Sequence, residues 1–208
     1  MKKKENPVKI KAVIFDMGNV ILNFDAKKSA RRFARDCKVP MSLVWDHFFT
    51  SETEKAYTRG KITCRQFYNH SKACLKVTVD FDKFKHYWND IFWENKGMDK
   101  FLTKLKKKYP LYLISNTNKM HFDFIKKNFK ILRHFKKTFP SHEVGHRKPE
   151  PQIYKKVLKA IKLKPKDTVF VDDVLKFVEG ARAVGMHSIQ FRNPKQLARE
   201  LKKLGVSI

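Results

Sequence analysis

The sequence has few cysteines and no long apolar run. Its 208 residues include three cysteines, Cys37, Cys64 and Cys74, and no Cys-x-x-Cys pair. An odd, scattered set of this kind indicates free thiols in a reducing compartment rather than a disulfide framework. No stretch approaches the roughly 20 apolar residues of a membrane helix, and the basic start is too charged for a signal peptide. These absences predict a cytoplasmic protein with no membrane partner.

Acidic residues are also scarce, since 20 Asp and Glu stand against 47 Lys and Arg, for a net charge of +27. Residues 97–208 alone carry 27 basic and nine acidic residues. Such an excess attracts anions, from phosphorylated metabolites to nucleic acid. Most of the cations are lysines, whereas base readout favours arginine forks, and no zinc-finger, RRM or KH motif is present. A solvated lysine-rich face is therefore favoured over a nucleic-acid partner.

The spacing of apolar residues changes along the chain. Hydrophobic residues make up 42% of the sequence, enough for a packed core. Residues 10–16 predict a buried strand, and helical spacing from about 25 to 95 predicts an insert of four or so helices. Seven aromatic side chains are interpreted as the core of this insert rather than a ligand cage: Trp45, Phe48, Phe49, Phe67, Tyr87, Trp88 and Trp93.

After Gly97 predicted strands and helices alternate. Helices are predicted at 98–108, 119–129, 151–162, 176–184 and 195–204, and strands at 111–114, 137–140, 168–171 and 187–191. This alternation predicts an α/β fold, a doubly wound parallel sheet of Rossmann-like type that also takes in the N-terminal strand. Residues 1–24 and 96–208 are assigned to this core, and residues 25–95 to an inserted all-helical cap.

Polar groups follow the predicted strands at the points where they end. Asp16 closes the first strand, residues 115–118 (Ser-Asn-Thr-Asn) follow the second, and Asp172 and Asp173 follow a later one. Residues 145–149 (Gly-His-Arg-Lys-Pro) lie in a loop before a helix. Because the carboxyl ends of parallel strands share one edge of the sheet, where ligands bind, these groups can converge.

The converging groups suit phosphoryl transfer. Asp16 is a candidate nucleophile, metal ligand or both, and with the pair Asp172 and Asp173 it offers the oxygen ligands that Mg²⁺ prefers. Lys148 would neutralise charge on the transferred group, and Ser115 with nearby amides would hold its oxygens. Each group alone has a plain structural interpretation, as a turn cap, a helix cap or a surface lysine. Their coincidence in this order favours an active site.

The order of these motifs and the residues within them resemble those of the haloacid dehalogenase superfamily of hydrolases over nearly the whole chain. The motifs lie at 14–20 (Ile-Phe-Asp-Met-Gly-Asn-Val), 113–118, 147–151 and 169–173, followed by 179–186. A helical cap between the first two motifs is a feature of one branch. The likeness is greatest to the branch reading D-x-G-N-V and S-N-T-N, which includes bacterial sugar-phosphate phosphatases such as the α-glucose-1-phosphate phosphatase.

The resemblance implies a Mg²⁺-dependent phosphatase that hydrolyses a small phosphorylated metabolite, a sugar phosphate above all, as a monomer or homodimer. Asp16 would be the nucleophile that becomes an aspartyl-phosphate, and the segment 18–23 a mobile flap. The implied catalytic residues are Asp16, Ser115 and Lys148. The implied metal ligands are Asp16, the backbone carbonyl of Gly18 and Asp173, with Asp172 binding through water. The implied substrate-binding residues are Gly18, Asn19, Ser115, Asn116 and Lys148.

Two positions depart from the pattern of the family. Position 18 usually carries an Asp that protonates the leaving group, and here it is Gly18; such a loss typically costs about 10²–10⁴ in rate. The D-x-G-N branch shares this gap, and a cap residue or solvent could stand in. Position 177 usually supplies an Asp or Asn near the metal and Lys148, and here it is Phe177.

Two alternatives stay open. A 2-haloacid dehalogenase attacks carbon without a metal, which would leave the pair at 172 and 173 without a purpose. A catalytically weak member of the family that binds phosphate ligands or nucleic acid would fit Gly18, Phe177 and the basic charge. Four cap and core residues are candidates for substrate contact: Lys55, Tyr57, Arg59 and His121.

Overall fold

The computed structural model describes residues 9–208. Its strands are β1 (Ala12–Phe15), β2 (Leu22–Phe24), β3 (Phe92–Glu94), β4 (Leu111–Ser115), β5 (Lys137–Pro140), β6 (Thr168–Asp172) and β7 (His187–Gln190). Its helices are α1 (Ala26–Cys37), α2 (Met41–Trp45), α3 (Glu52–Thr58), α4 (Cys64–Leu75), α5 (Phe81–Asn89), α6 (Met98–Leu105), α7 (Lys119–Asn128), α8 (Ser141–Val144), α9 (Pro151–Ile161), α10 (Leu175–Ala183) and α11 (Pro194–Lys203). A π-helical turn, Asp46–Thr50, continues α2.

The main sheet is parallel and has the strand order β5-β4-β1-β6-β7. All four residues of β1 are fully buried, as expected for a central strand covered on both faces. Val13 and Phe15 pack with α6, α7 and α11, whereas Ala12 and Ile14 pack with α9 and α10. The predicted α/β doubly wound sheet, with the N-terminal strand inside it, is confirmed.

Helices α1 to α5 lie between β2 and β3 and form the cap. Their starts follow from local sequence: Asp25, Ser51 and Asp80 each accept a hydrogen bond from a first-turn amide, and Thr63 forms a capping box with Gln66. Four buried phenylalanines hold the helices together, and ring pairs among them lie 4.8 to 6.3 Å apart. These are Phe33, Phe48, Phe67 and Phe84.

One of the aromatic residues assigned to the cap core is placed elsewhere. Trp93 lies in β3 and is 49% exposed, so its assignment to the cap core is wrong. Because side chains alternate along a strand, Trp93 points away from the face that carries Phe92. The helical spacing of the cap ends before this strand begins.

Two short antiparallel strands, one at each end of the inserted cap, connect the cap to the core, and we call this strand pair the hairpin. It pairs β2 with β3, and Phe24 lies opposite Phe92. The cap also contacts the core directly, because Tyr57 Oη accepts a hydrogen bond from the Met120 amide at 3.3 Å. Ser141 Oγ donates to the Thr58 carbonyl at 2.6 Å.

Within residues 9–208 no helix combines the length and apolar composition needed to cross a bilayer.

Candidate active site

The ends of the three central strands bring the predicted site residues together. Asp16 follows β1 directly, Ser115 is the last residue of β4, and Asp172 is the last residue of β6. The strands are in register, since Phe15 pairs with both Leu113 and Val171. These polar groups therefore lie at one edge of the sheet, as the sequence predicts.

A buried lysine joins two of the carboxylates. Lys148 Nζ lies 2.6 Å from Asp16 Oδ1 and 2.6 Å from Asp172 Oδ2. Asp16 is 7%, Lys148 3% and Asp172 0% exposed. Asp172 also accepts a hydrogen bond from the Val174 amide at 2.9 Å. In such a low-dielectric setting the ammonium group of Lys148 fixes the position of both carboxylates and offsets their charge.

Burial sets the proton affinities of these groups. It raises the pKa of Asp16 to about 7, even though Lys148 acts in the opposite direction. Burial alone would lower the pKa of Lys148, but the two carboxylates outweigh it and hold that pKa above its usual value. The pKa of Asp173 is raised by burial and by the charge of Asp172. The centre therefore holds more negative charge than one lysine balances, which favours a bound cation.

The donor set suits magnesium. Asp16, Asp172 and Asp173 each offer a carboxylate oxygen, and these atoms lie within 4.8 Å of one another. Oxygen donors in this number are the ligands that Mg²⁺ takes, with water completing its shell. Both oxygens of Asp172 bind the protein, Oδ2 to Lys148 and Oδ1 to the Val174 amide, whereas Lys148 contacts Asp16 through Oδ1 and Asn19 contacts Asp173 through Oδ2. The second oxygens of Asp16 and Asp173 are therefore better placed to bind an ion directly. The role of Asp172 as a ligand through water stays a prediction.

Two asparagines of the motifs have partners inside the protein. Asn116 Oδ1 accepts from the Lys148 amide at 2.7 Å, and its Nδ2 donates to the Lys148 carbonyl at 2.9 Å. The Asn116 side chain thus fixes the loop that carries the lysine. Asn19 adopts a left-handed conformation, φ 53°, and its Nδ2 lies 3.3 Å from Asp173 Oδ2. Both side chains therefore position the charged groups.

Aromatic rings occupy the space at both positions that depart from the motif pattern, Gly18 and Phe177. A Cβ on Gly18 would lie 2.9 Å from the ring of Phe24, so the hairpin packs onto the position where an acid would stand. The ring of Phe177 lies with its centre 5.0 Å from Lys148 Nζ, a cation–π distance. Phe177 therefore contacts the lysine without a hydrogen bond to it.

A cavity of about 240 Å³ opens over these groups. The predicted residues that line it are Asp16, Gly18, Asn19, Ser115, Asn116, Lys148, Asp173 and His121. Lys55, Tyr57 and Arg59 are not among the described residues that do so. Phe48, Phe49 and Trp88 belong to the cap core as expected, yet they also form part of the cavity wall.

Sequence reasoning missed Glu54, the hairpin residues Phe24 and Phe92, and Ile91 just before β3, which also line the cavity. Strands of three residues give too short an alternation to be recognised. Arg147 Nη1 binds Glu54 at 2.8 Å, and burial raises the pKa of Glu54 against the effect of that arginine. No local signal pairs two residues so far apart in the chain.

His121 lines the cavity, but both nitrogens of its imidazole are hydrogen-bonded within the protein. Its Nε2 donates to the Trp88 carbonyl at 3.0 Å, and its Nδ1 lies 3.1 Å from Asn118 Nδ2. Burial lowers the pKa of His121 to about 4, so the ring is neutral at physiological pH. The ring also stacks on Trp88 with centres 4.9 Å apart. His121 therefore positions the cap tryptophan.

A parallel sheet with a lysine-bridged carboxylate centre at its carboxyl edge, covered by an inserted helical cap, defines a Rossmann-like hydrolase of the phosphoryl-transfer type. The family model for haloacid dehalogenase-like hydrolase matches residues 10–185, and the chain belongs to that family. It is a hydrolase of the phosphatase kind, and its cofactor is Mg²⁺.

Known proteins resemble the chain in sequence and in fold. D-ribitol-5-phosphate phosphatase of Bacteroides thetaiotaomicron is 24% identical over 92% of this chain and 97% of that protein. The chain spans about a third of another curated relative, drimenol cyclase of Aspergillus calidoustus, which is 28% identical over 94% of this chain. A haloacid dehalogenase family enzyme of B. thetaiotaomicron, solved with magnesium and inorganic phosphate, superposes with a TM-score of 0.80 and 27% identity, covering 88% of this chain and 95% of that one.

Proposed function

We propose that the chain hydrolyses a small phosphorylated metabolite through an aspartyl-phosphate on Asp16. The observation that carries the proposal is the buried centre in which Lys148 lies 2.6 Å from both Asp16 and Asp172, beside the third carboxylate of Asp173. A nucleophilic carboxylate can attack a phosphate dianion only where the charge of both is offset. The magnesium ion, held by Asp16, Asp173 and the Gly18 carbonyl, would supply that positive charge and orient the phosphoryl group.

The remaining roles follow from position in the site. Asp16 attacks phosphorus while the bond from phosphorus to the ester oxygen breaks, and the alcohol leaves with a proton from water. A second water then attacks the aspartyl-phosphate and releases inorganic phosphate. Ser115, with the backbone amides after it, would hold the phosphoryl oxygens, and Lys148 would offset their charge. Asn116 and Asn19 would hold Lys148 and Asp173 in place.

The identity of the substrate belongs to the proposal. A sugar phosphate is the expectation from the motifs, and the relative from B. thetaiotaomicron is named for a phosphorylated polyol. A dehalogenase needs no metal and would leave the three carboxylates without a purpose. A cytoplasmic location and a monomeric or homodimeric state stay predictions.

Purified protein given a panel of phosphate monoesters tests the proposal. Phosphate release should require Mg²⁺, stop with chelator and fall at least 10³-fold in Asp16→Asn, because that variant keeps the shape but loses the nucleophile. Asp123→Asn, a change of the same kind at an exposed position of α7, is the matched control and should keep full activity. No release from any ester, together with salt-sensitive binding of nucleic acid, would instead support a binding protein.

A further inference from the structure

The wall of the cavity beyond the charged centre is apolar. The cap and the hairpin contribute Phe24, Phe48, Phe49, Trp88, Ile91 and Phe92. The rings of Phe49 and Trp88 stack with centres 5.9 Å apart, and Phe24 lies 6.1 Å from Phe92. Phe48 and Trp88 are almost fully buried, which fixes their positions. The organic part of a substrate bound at Asp16 therefore faces rings and aliphatic side chains.

Three polar side chains of the same wall, Thr58, Glu54 and Asn118, already have partners within the protein. Thr58 Oγ1 donates to the Glu54 carbonyl at 2.9 Å, and the Glu54 carboxylate is bound by Arg147. Asn118 Oδ1 accepts from the His121 amide at 3.0 Å, and its Nδ2 is paired with that imidazole. A polyol placed against this wall would exchange its hydrogen bonds with water for contacts with rings, at a cost per hydroxyl.

The hairpin also covers the position at which a leaving group would be protonated. The Phe24 ring packs onto Gly18 so closely that a Cβ there would lie 2.9 Å from it. An aromatic ring thus stands beside the nucleophile, where a carboxyl could otherwise have protonated the leaving group. At about 240 Å³ the cavity is smaller than the usual range of about 300–1,000 Å³ for ligand sites, which limits the organic part to a small group.

We infer that the substrate is a phosphate monoester of a small apolar alcohol or phenol, held by its phosphoryl group at the charged centre and by its hydrocarbon part against the hairpin and cap rings. This inference rests on the proposed phosphatase function and names its substrate class. The phosphoryl group passes to Asp16 as its bond to the ester oxygen breaks, and the apolar alcohol leaves with a proton from water. A water molecule then takes the phosphoryl group from Asp16, which gives inorganic phosphate and the free carboxylate.

A series of alkyl monoesters from methyl to octyl phosphate, with benzyl phosphate and glycerol 3-phosphate, tests the substrate class. These esters all leave as aliphatic alcohols, so differences in kcat/KM report contact with the wall. We expect kcat/KM to rise about fourfold per methylene that reaches the rings, from the transfer free energy of a buried methylene, and then to level off. Benzyl phosphate should exceed glycerol 3-phosphate at least tenfold.

A pair of variants in the hairpin assigns the preference to the wall. Phe24→Ala should lower kcat/KM for benzyl and hexyl phosphate about tenfold, and for methyl phosphate less than twofold. Trp93→Ala removes an aromatic side chain of the same hairpin on the opposite face, outside the cavity lining, and should change neither. Equal activity toward polyol and apolar esters, or a preference for the polyol, would overturn the inference and leave the phosphatase function standing.

Binding of phosphonates separates failure of the inference from failure of the function. Benzylphosphonate and methylphosphonate cannot be hydrolysed, and calorimetry in the presence of Mg²⁺ measures their affinities. A tenfold or greater preference for benzylphosphonate that is lost in Phe24→Ala supports an apolar wall, even in a protein that hydrolyses no ester. Equal affinities of the two phosphonates would refute it.

Discussion

Asp16 carries its proton more tightly than an exposed aspartate does, since burial raises its pKa from 3.8 to about 7. A metal ligand must be deprotonated, so Mg²⁺ and the proton compete for this carboxylate. Below pH 7 the apparent affinity for Mg²⁺ should fall, approaching tenfold per pH unit, whereas above pH 8 it should level off. Calorimetry at pH 6 and pH 8 in buffers of different ionisation enthalpy measures both the affinity and the protons released.

The direction of this linkage follows from the raised pKa. At pH 6 the metal-free carboxyl is mostly protonated, so binding should release close to one proton, and at pH 8 it should release few. Asp173→Asn, which removes a neighbouring ligand but keeps Asp16, should weaken binding and keep the pH dependence. An affinity that does not change between pH 6 and pH 8 would mean that Asp16 is ionised before the metal arrives.

Gly18 and Phe24 together explain why this site has no acid beside its nucleophile. A side chain at position 18 would meet the end of the Phe24 ring, 2.9 Å from the new Cβ. We expect Gly18→Asp alone to lower activity, because the carboxyl would displace the hairpin ring. In the background of Phe24→Ala the same change should raise kcat on glycerol 3-phosphate, for which protonation of the alcohol matters, about tenfold or more. Steady-state kinetics of the two single variants and the double variant measure this coupling, and additive effects would contradict it.

At the scale of elements, ion pairs hold the cap against the core. Glu54 of α3 pairs with Arg147 from the loop before α9, with side chains 12% and 20% exposed. Arg59, just after α3, pairs with Glu150 at the start of α9. These contacts cross from the insert to the sheet beside the cavity, so they favour the closed arrangement of the cap over the site.

A double-mutant cycle on Glu54 and Arg147 measures the strength of this connection. We expect a coupling energy of about 1–2 kcal/mol from urea unfolding of Glu54→Gln, Arg147→Met and the double variant, because a half-buried pair is poorly screened. The exposed pair of Lys119 and Asp123, 64% and 51% exposed, is the control and should give about 0.5 kcal/mol or less. A coupling no larger than that of the control would show that the apolar contacts alone hold the cap.

The elements differ in how far the sequence predicts them. The apolar run before Asp16 and the alternation after Gly97 predict β1 and the parallel sheet, because buried parallel strands need continuous apolar runs. Convergence of Asp16, Ser115 and Asp172 then follows from topology alone. The hairpin of β2 and β3 is not predictable, since each strand has three residues and the two lie far apart in sequence. The same holds for the hydrogen bonds between Asn116 and Lys148, which depend on the folded loop.

The molecule as a whole is strongly basic, and its ion pairs cannot offset that charge. Even if each of the 20 acidic residues paired with one cation, 27 of the 47 basic residues would have no partner. Repulsion among them destabilises the compact state at low ionic strength. The excess positive charge also attracts anionic esters toward the site from a distance, so it would serve a phosphatase without a nucleic-acid partner.

Screening of this repulsion should stabilise the protein. Raising KCl from 20 to 300 mM shortens the Debye length from about 20 Å to about 6 Å, so the Tm measured by calorimetry should rise by several degrees. A variant with Lys106→Glu and Lys107→Glu, both exposed beyond α6, lowers the net charge by four. It should therefore unfold at a higher temperature in 20 mM KCl and gain less from added salt. A Tm that falls as salt rises would mean that attractive pairs, such as Glu54 with Arg147, outweigh the repulsion among lysines.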